Sequence, residues 1–115
     1  MITSGRVMKI VCIIPARGGS KRLHRKNLHM INGKPCIQYA IEAAINSKYL
    51  KNYTYVSSED PEILKVSKSI GSKTITRPEE LSEDHVWTQD VLIDAVNQIK
   101  KIENKTFDYV VRVQA

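Results

Sequence analysis

Short apolar runs alternate along the chain with longer segments whose apolar residues recur at helical spacing. The runs are rich in β-branched residues, which is typical of strands buried in a parallel sheet. We predict four such strands, at 9–14, 53–57, 73–76 and 109–113. The other segments have an apolar residue every three or four positions, which predicts helices at about 35–47, 61–70 and 87–102. This alternation predicts an α/β fold of three layers around a mostly parallel sheet.

Local signals set the boundaries of the predicted helices. Asp60 can cap the second helix, Pro61 fits its first position, and Gly71 supplies a left-handed stop. Pro35 stands where the first turn of the preceding helix is predicted. Residues 77–86 show no periodicity, so we predict a loop there.

Positive charge is concentrated at the start of the chain. Residues 1–41 carry eight Lys or Arg and no acidic residue, whereas residues 42–115 carry ten basic and twelve acidic side chains. The excess positive charge of the chain therefore lies in its first third. A solvated basic face and an anion-binding site both produce such a cluster, and charge alone does not separate them.

Composition narrows the class of protein. Hydrophobic residues make up 42% and charged residues 26%, as in ordinary globular domains. No apolar run approaches the roughly 18 residues of a membrane span. Residues 1–7 lack the features of a signal peptide, so we expect a cytoplasmic protein in which they form a disordered extension. Cys12 and Cys36 lack the number and spacing of a zinc site and are expected to be packed thiols.

The segment that leaves the first predicted strand, 15–33, is the candidate site, because ligands bind such sheets outside the carboxyl ends of their strands. Its residues PARGGSKRLHRKN place Gly18 and Gly19 directly after the strand and then a run of Lys and Arg. Adjacent glycines let backbone N–H groups approach phosphate oxygens, and the cations neutralise them. The spacing is neither a Walker A loop nor G-x-G-x-x-G. A solvated basic loop and an RNA-binding surface are the alternatives, although the loop lacks the aromatic residues typical of RNA binding.

Four motifs in register resemble the acylneuraminate cytidylyltransferases. They are IIPARGGSKRLHRKN, NGKPCIQYAIEAA, VSSEDPEI and TRPEELSED. This family makes CMP-sialic acid, CMP-Kdo and the CMP forms of related bacterial sugars such as pseudaminic and legionaminic acids. The resemblance covers roughly residues 8–115 and about the first half of the family's length. It implies a Rossmann-like nucleotide-diphospho-sugar transferase fold, here a single nucleotide-binding domain over 1–115, truncated after its fourth strand and incomplete at the C-terminus.

The resemblance also implies a reaction and a site. The anomeric hydroxyl of an acidic 2-keto sugar attacks the α-phosphate of CTP, and pyrophosphate is released with the help of Mg²⁺. Arg17 and Lys21 are the implied catalytic residues, and with Ser20 they would hold the triphosphate. Lys26 would also reach the phosphates, beside the backbone of Gly18 and Gly19.

Further residues are implied to recognise the nucleoside. Asn27 would contact CTP near its ribose or base, and the expected cytosine contacts are Arg77, Thr88 and Gln114. No metal ligand is assigned, because the family's Mg²⁺-binding aspartates lie beyond residue 115. The family forms homodimers through a segment that is also absent here. We therefore expect CTP and an acidic sugar as partners, with no nucleic acid and no membrane.

Some positions depart from the family pattern or have a plainer explanation. His24 replaces a common proline, and Ser-Ser-Glu-Asp replaces Ser-Thr-Asp-Asp. Arg77 could be a solvated loop cation, and Trp87 is expected to pack at a helix start. We expect the isolated chain to bind CTP weakly and to turn over slowly or not at all. A non-catalytic nucleotide-binding module is the alternative function.

Overall fold

A four-stranded parallel sheet lies at the centre of the computed structural model, which describes residues 9–18, 26–82, 86 and 88–114. The strands in this part of the chain are β1 (Ile10–Pro15), β2 (Met30–Ile31), β3 (Lys34–Pro35), β4 (Thr54–Ser58), β5 (Lys73–Thr76) and β6 (Tyr109–Arg112). The sheet has the order β5-β4-β1-β6 with every neighbouring pair parallel. The predicted parallel sheet and its strands are therefore confirmed.

Helices cover both faces of this sheet. They are α1 (Cys36–Ile45), α2 (Pro61–Ile70) and α3 (Thr88–Glu103). Side chains of β1 alternate between the faces, as strand geometry requires. Cys12 and Ile14 pack with residues of α1 and α2, whereas Val11 and Ile13 pack with residues of α3. Two apolar layers thus sandwich the sheet, and the predicted three-layer α/β arrangement is confirmed.

The predicted ends of α2 are confirmed by its capping contacts. The carboxylate of Asp60 accepts a hydrogen bond from the backbone N–H of Glu62 at 2.9 Å, and Pro61 occupies the first helical position. Gly71 ends the helix with φ at +116°, a left-handed conformation that glycine adopts without steric cost.

A short β-hairpin at 30–35, which follows the segment leaving β1 and leads into α1, was missed. β2 and β3 pair antiparallel, and the turn between them has φ of +50° at Asn32 and +83° at Gly33. Positive φ at both central residues is what a two-residue hairpin turn demands, and Asn-Gly supplies it most readily. Pro35 is the last residue of β3 and the N-cap of α1, one position before the first turn in which it was predicted.

Other boundaries shift by one or two residues. β1 begins at Ile10 and includes Pro15, and β4 begins after Tyr53, which ends a turn of 3-10 helix. α1 ends at Ile45, with Asn46 as its C-cap. The predicted loop at 77–86 contains a short 3-10 helix, Glu79–Leu81. These shifts leave the order and pairing of the strands unchanged. The ends of helices and strands are the parts of an element that are defined least sharply.

Cys12 is a buried free thiol and Cys36 a partly buried one, so the prediction of packed thiols is confirmed. Burial raises the pKa of the Cys12 thiol, which keeps it protonated at neutral pH. A search of the described residues finds no helix with the length and apolar character needed to cross a membrane. The proposed extension 1–7 lies outside the described residues.

Candidate functional site

A cavity of about 310 Å³ opens at the carboxyl ends of the parallel strands. Its walls come from the segments that follow β1, β5 and β6 and from the start of α3. The lining residues are Pro15, Arg17, Lys26, Asn27, Arg77, Leu81, Val86, Thr88, Val91 and Gln114. This is the edge of the sheet at which a ligand site was predicted.

Six of the residues singled out from the sequence line this cavity together. They are Arg17, Lys26, Asn27, Arg77, Thr88 and Gln114. They come from four separate stretches of sequence, and the fold brings them to one place. Gly19, Ser20 and Lys21 lie outside the described residues. Gly18 is described and buried, but it does not line the cavity.

Arg77 is the buried cation of the site, with 4% of its surface exposed. Its Nη2 donates to the carbonyl oxygen of Ser57 at 3.0 Å, and its Nε lies 3.4 Å from the hydroxyl oxygen of Ser57. Burial lowers the pKa of Arg77, while the nearby Glu59 carboxylate opposes that change. An arginine remains charged even so, and Nη1 has no hydrogen-bond partner among the described residues. The solvated-loop explanation of Arg77 is therefore wrong.

Arg17 and Lys26 bring two more cations to the cavity wall. Arg17 is half-buried, and its Nη1 lies 3.4 Å from the carbonyl oxygen of Ser82. Lys26 is exposed and begins the 3-10 turn Lys26–Leu28. Arg77 and these two side chains make the cavity wall cationic, and such a wall attracts anions.

Asn27 presents a buried acceptor that the protein leaves unsatisfied. The side chain is 2% exposed, and its Nδ2 donates to the carbonyl oxygen of Arg17 at 3.3 Å. Its Oδ1 is buried and has no hydrogen-bond partner in the part of the chain that the structure describes. Leaving a buried acceptor unpaired costs free energy, and such atoms concentrate at functional sites. A ligand that brings an N–H or O–H donor to the cavity would satisfy it.

The backbone N–H of Gly18 contacts a carboxylate in this structure. It donates to Glu59, lying 3.0 Å from Oε2 and 3.1 Å from Oε1. Gly18 was predicted to turn its N–H toward phosphate, so this contact was not anticipated. The available signal was the acidic pair Glu59-Asp60, which follows β4 at the edge of the sheet where Gly18 follows β1.

A second residue missed from the sequence is Arg112, at the end of β6. Its guanidinium donates to the Oε1 atom of Gln114. A smaller cavity of about 90 Å³ is bounded by Arg112 and shares Pro15, Thr88 and Gln114 with the larger one. Gln114 therefore stands between the two cavities.

The described residues contain no group of three or more His, Cys, Asp and Glu side chains suited to a metal ion. His29 is exposed, and His24, His85 and Trp87 lie outside the described residues. The carboxylates of this chain thus provide no described ligand set to which a Mg²⁺ ion can be assigned.

A parallel sheet flanked by helices, with a cationic cavity at its carboxyl edge, defines an α/β domain of the class that binds ligands outside the carboxyl ends of its strands. The family model for cytidylyltransferases matches residues 11–115, so the chain belongs to the cytidylyltransferase family. The resemblance found in the sequence motifs is confirmed.

Curated relatives agree with this assignment. The chain is 42% identical over 104 residues to a pseudaminic acid cytidylyltransferase of Campylobacter jejuni, covering 90% of this chain and 44% of that protein. It is 37% identical over 101 residues to an N-acylneuraminate cytidylyltransferase of Streptococcus agalactiae, covering 87% of this chain and 24% of that protein. The chain thus spans less than half the length of these relatives.

Solved structures show the same fold. A CMP:2-keto-3-deoxy-manno-octonic acid synthetase complexed with CTP superposes with a TM-score of 0.73 at 30% identity, covering 92% of this chain and 39% of that one. A cytidylyltransferase from Leptospira borgpetersenii superposes with a TM-score of 0.68 at 20% identity, covering 94% of this chain and 42% of that one.

Proposed function

We propose that this chain is the nucleotide-binding part of a cytidylyltransferase that transfers CMP from CTP to an acidic 2-keto sugar. The cavity at the carboxyl edge of the sheet carries the proposal, because cations and a buried amide line it together. Membership of the cytidylyltransferase family supports the proposed activity. A similar protein was solved with CTP, which supports the choice of nucleotide. Relatives named for pseudaminic acid and N-acylneuraminate support an acidic sugar as the acceptor.

In the proposed reaction the sugar's anomeric oxygen forms a bond to the α-phosphorus of CTP. The bond from that phosphorus to the oxygen bridging to the β-phosphate breaks, and pyrophosphate leaves. The hydroxyl proton passes to water as the new bond forms. The protein's share in such a reaction is mainly to position the groups and to neutralise charge.

The cations on the cavity wall are assigned to the phosphates. Arg17 offers a planar fork of donors, and Lys26 offers a point charge. The same role for Ser20 and Lys21 and for the backbone of Gly19 remains a prediction from the sequence, whereas the backbone N–H of Gly18 donates to Glu59. Arg17 and Lys21 are the residues that we propose as catalytic, since the charge that develops during the transfer lies on the phosphates.

The deeper polar groups are assigned to the nucleoside. The Oδ1 atom of Asn27 accepts, which suits a ribose hydroxyl or the amino group of cytosine. Arg77 donates, which suits the carbonyl oxygen of cytosine. Thr88 and Gln114, on the cavity wall, complete the proposed nucleoside contacts.

Mg²⁺ dependence and a homodimeric state remain predictions from the resemblance. Since the described residues supply no cluster of metal ligands, no step of the proposed mechanism passes through a metal. Location in the cytoplasm is likewise a prediction.

Calorimetric titration of the chain with CTP, UTP, ATP and GTP tests the nucleotide assignment. We expect CTP to bind at least about tenfold more tightly than each of the other three, which corresponds to about 1.4 kcal/mol. Equal affinity for all four would favour the non-catalytic nucleotide-binding module, and no binding of CTP would contradict the proposal. Pyrophosphate release with CTP and acidic sugars, compared with neutral sugars, tests the transfer itself.

A further inference from the structure

The corner between β4 and α2 touches the segment that leaves β1. Glu59 lies in this corner, and its two carboxylate oxygens lie 3.0 and 3.1 Å from the backbone nitrogen of Gly18. The contact joins residues 41 positions apart, at adjacent strands of the sheet. A hydrogen bond to an ionised acceptor is roughly twice as strong as one between neutral groups.

The corner itself is held by its own hydrogen bonds. The backbone N–H of Asp60 donates to the hydroxyl of Ser58 at 3.0 Å, and Asp60 in turn caps α2. Gly18 lies so close to this corner that a Cβ on it would stand 2.5 Å from Oδ2 of Asp60. The corner between β4 and α2 therefore supports the backbone at Gly18, both by close packing and by the Glu59 hydrogen bond.

The position of Glu59 also requires an explanation from electrostatics. A carboxylate beside a proposed polyphosphate site repels the ligand. A carboxylate that had no other role there would therefore only weaken binding. Glu59 does not line the cavity, whereas Arg17, the neighbour of Gly18 in sequence, does. The carboxylate also acts on the buried Arg77, whose charged form it favours.

We propose that Glu59 is a positioning residue for the triphosphate part of the site. It holds the backbone at Gly18 and thereby sets the position of the neighbouring Arg17. For its effect on CTP this inference rests on the proposed function. A positioning role predicts that losing the carboxylate weakens the binding of phosphates, although the loss removes a repulsive charge.

The variant Glu59→Ala tests this, with CTP and CMP titrated against it and against the parent chain. We expect CTP affinity to fall about tenfold, the size of effect of one charge-assisted hydrogen bond. CMP affinity should change less than about twofold, because CMP lacks the β- and γ-phosphates that the loop would hold. Glu62→Ala is the matched control: it removes an equal charge from the exposed first turn of α2, and CTP affinity should not fall.

Amide exchange of Gly18, followed by NMR without nucleotide, tests the contact independently of the function. We expect faster exchange in Glu59→Ala than in the parent. CTP binding as tight as in the parent, equal losses for CTP and CMP, or unchanged Gly18 exchange would each overturn the proposal. If the parent itself fails to bind CTP, the proposed function fails while the exchange comparison still tests the positioning contact.

Should Glu59→Ala not fold, Glu59→Gln takes its place, because it keeps a neutral acceptor for the Gly18 N–H. Its CTP affinity should fall about threefold, as a neutral hydrogen bond replaces a charged one. Tighter binding than in the parent would identify Glu59 as a bystander charge and would refute the positioning role.

Discussion

Charged side chains have different partners at the two ends of the parallel sheet. At the amino end, Lys73 forms an ion pair with Glu103 at 2.9 Å, and the hydroxyl of Tyr55 donates to the same carboxylate. Lys105 donates to the hydroxyl of Tyr53 beside them. We call these five residues the amino-end cluster. Its cations and its carboxylate satisfy one another, and the result is a contact between α3 and the starts of β4 and β5.

At the carboxyl end the cations surround a cavity. Arg77 donates to a backbone carbonyl and a hydroxyl of Ser57, both neutral groups. Asn27 nearby keeps a buried acceptor without a partner in the described residues. The comparison teaches that charge by itself does not mark a site. The paired charges of the amino-end cluster stabilise the fold, whereas the buried Oδ1 acceptor of Asn27 is available to a ligand.

Replacing one cation at each end of the sheet should give the largest predicted difference in CTP affinity. Arg77→Ala removes a buried charge from the cavity and should weaken CTP binding about 50-fold, since hydrogen bonds of a charged group contribute up to about 3 kcal/mol. Lys73→Ala is the matched control at the amino end and should leave CTP affinity unchanged. Titration calorimetry on both variants measures this, with circular dichroism to show that each is folded. Equal losses in the two would contradict the division between the ends.

Asn27→Ala separates binding from stability at the cavity itself. The variant removes the unsatisfied Oδ1 acceptor, so the free energy of unfolding of the unliganded chain should stay within about 1 kcal/mol of the parent. CTP affinity should fall about tenfold, because the ligand loses the acceptor that it satisfies. Urea denaturation and CTP titration give the two numbers. A large loss of stability with unchanged CTP affinity would make Asn27 a structural residue.

The sequence predicted those parts of the fold that depend on local signals. The capping of α2 by Asp60 and its stop at Gly71 follow from residues next to one another, and both were confirmed. The hairpin was missed even though Asn32-Gly33 is a strong turn signal, because its strands have two residues each and show no periodicity.

Contacts that depend on strand order could not be predicted in this way. The hydrogen bond from Gly18 to Glu59 exists because β1 and β4 are neighbours, with Pro15 opposite Ser57. The burial of Arg77 arises similarly, since its backbone N–H donates to the carbonyl oxygen of Ser58 at the end of β4 and its guanidinium donates to the carbonyl oxygen of Ser57. The family resemblance indicated which residues belong to the site, but the local pattern gave no burial and no partner for them.

Acid titration of the amino-end cluster should affect stability. The hydrogen bond from Tyr55, followed by that from Lys73, lowers the pKa of Glu103 below its usual 4.5. The stabilisation is therefore complete above that value and is lost as the pH falls through the folded-state pKa. Glu103→Gln should lower the free energy of unfolding by about 1 kcal/mol at pH 7, and the difference should shrink at pH 3. Urea denaturation at the two pH values measures it, and a difference independent of pH would show that the charge is irrelevant.

Lys26 should give the smallest effect, and its dependence on salt distinguishes it from Arg77. Lys26 is exposed, so water and ions screen its attraction for phosphate. Lys26→Ala should weaken CTP binding about threefold at low ionic strength, and the loss should nearly vanish at about 0.5 M salt, where screening acts within a few ångströms. The loss in Arg77→Ala should persist there, because a buried cation is screened much less. If the two variants lost their effects together as salt is raised, the cavity would be attracting nucleotide through diffuse charge, and the buried contacts at Arg77 would not be the source of its affinity.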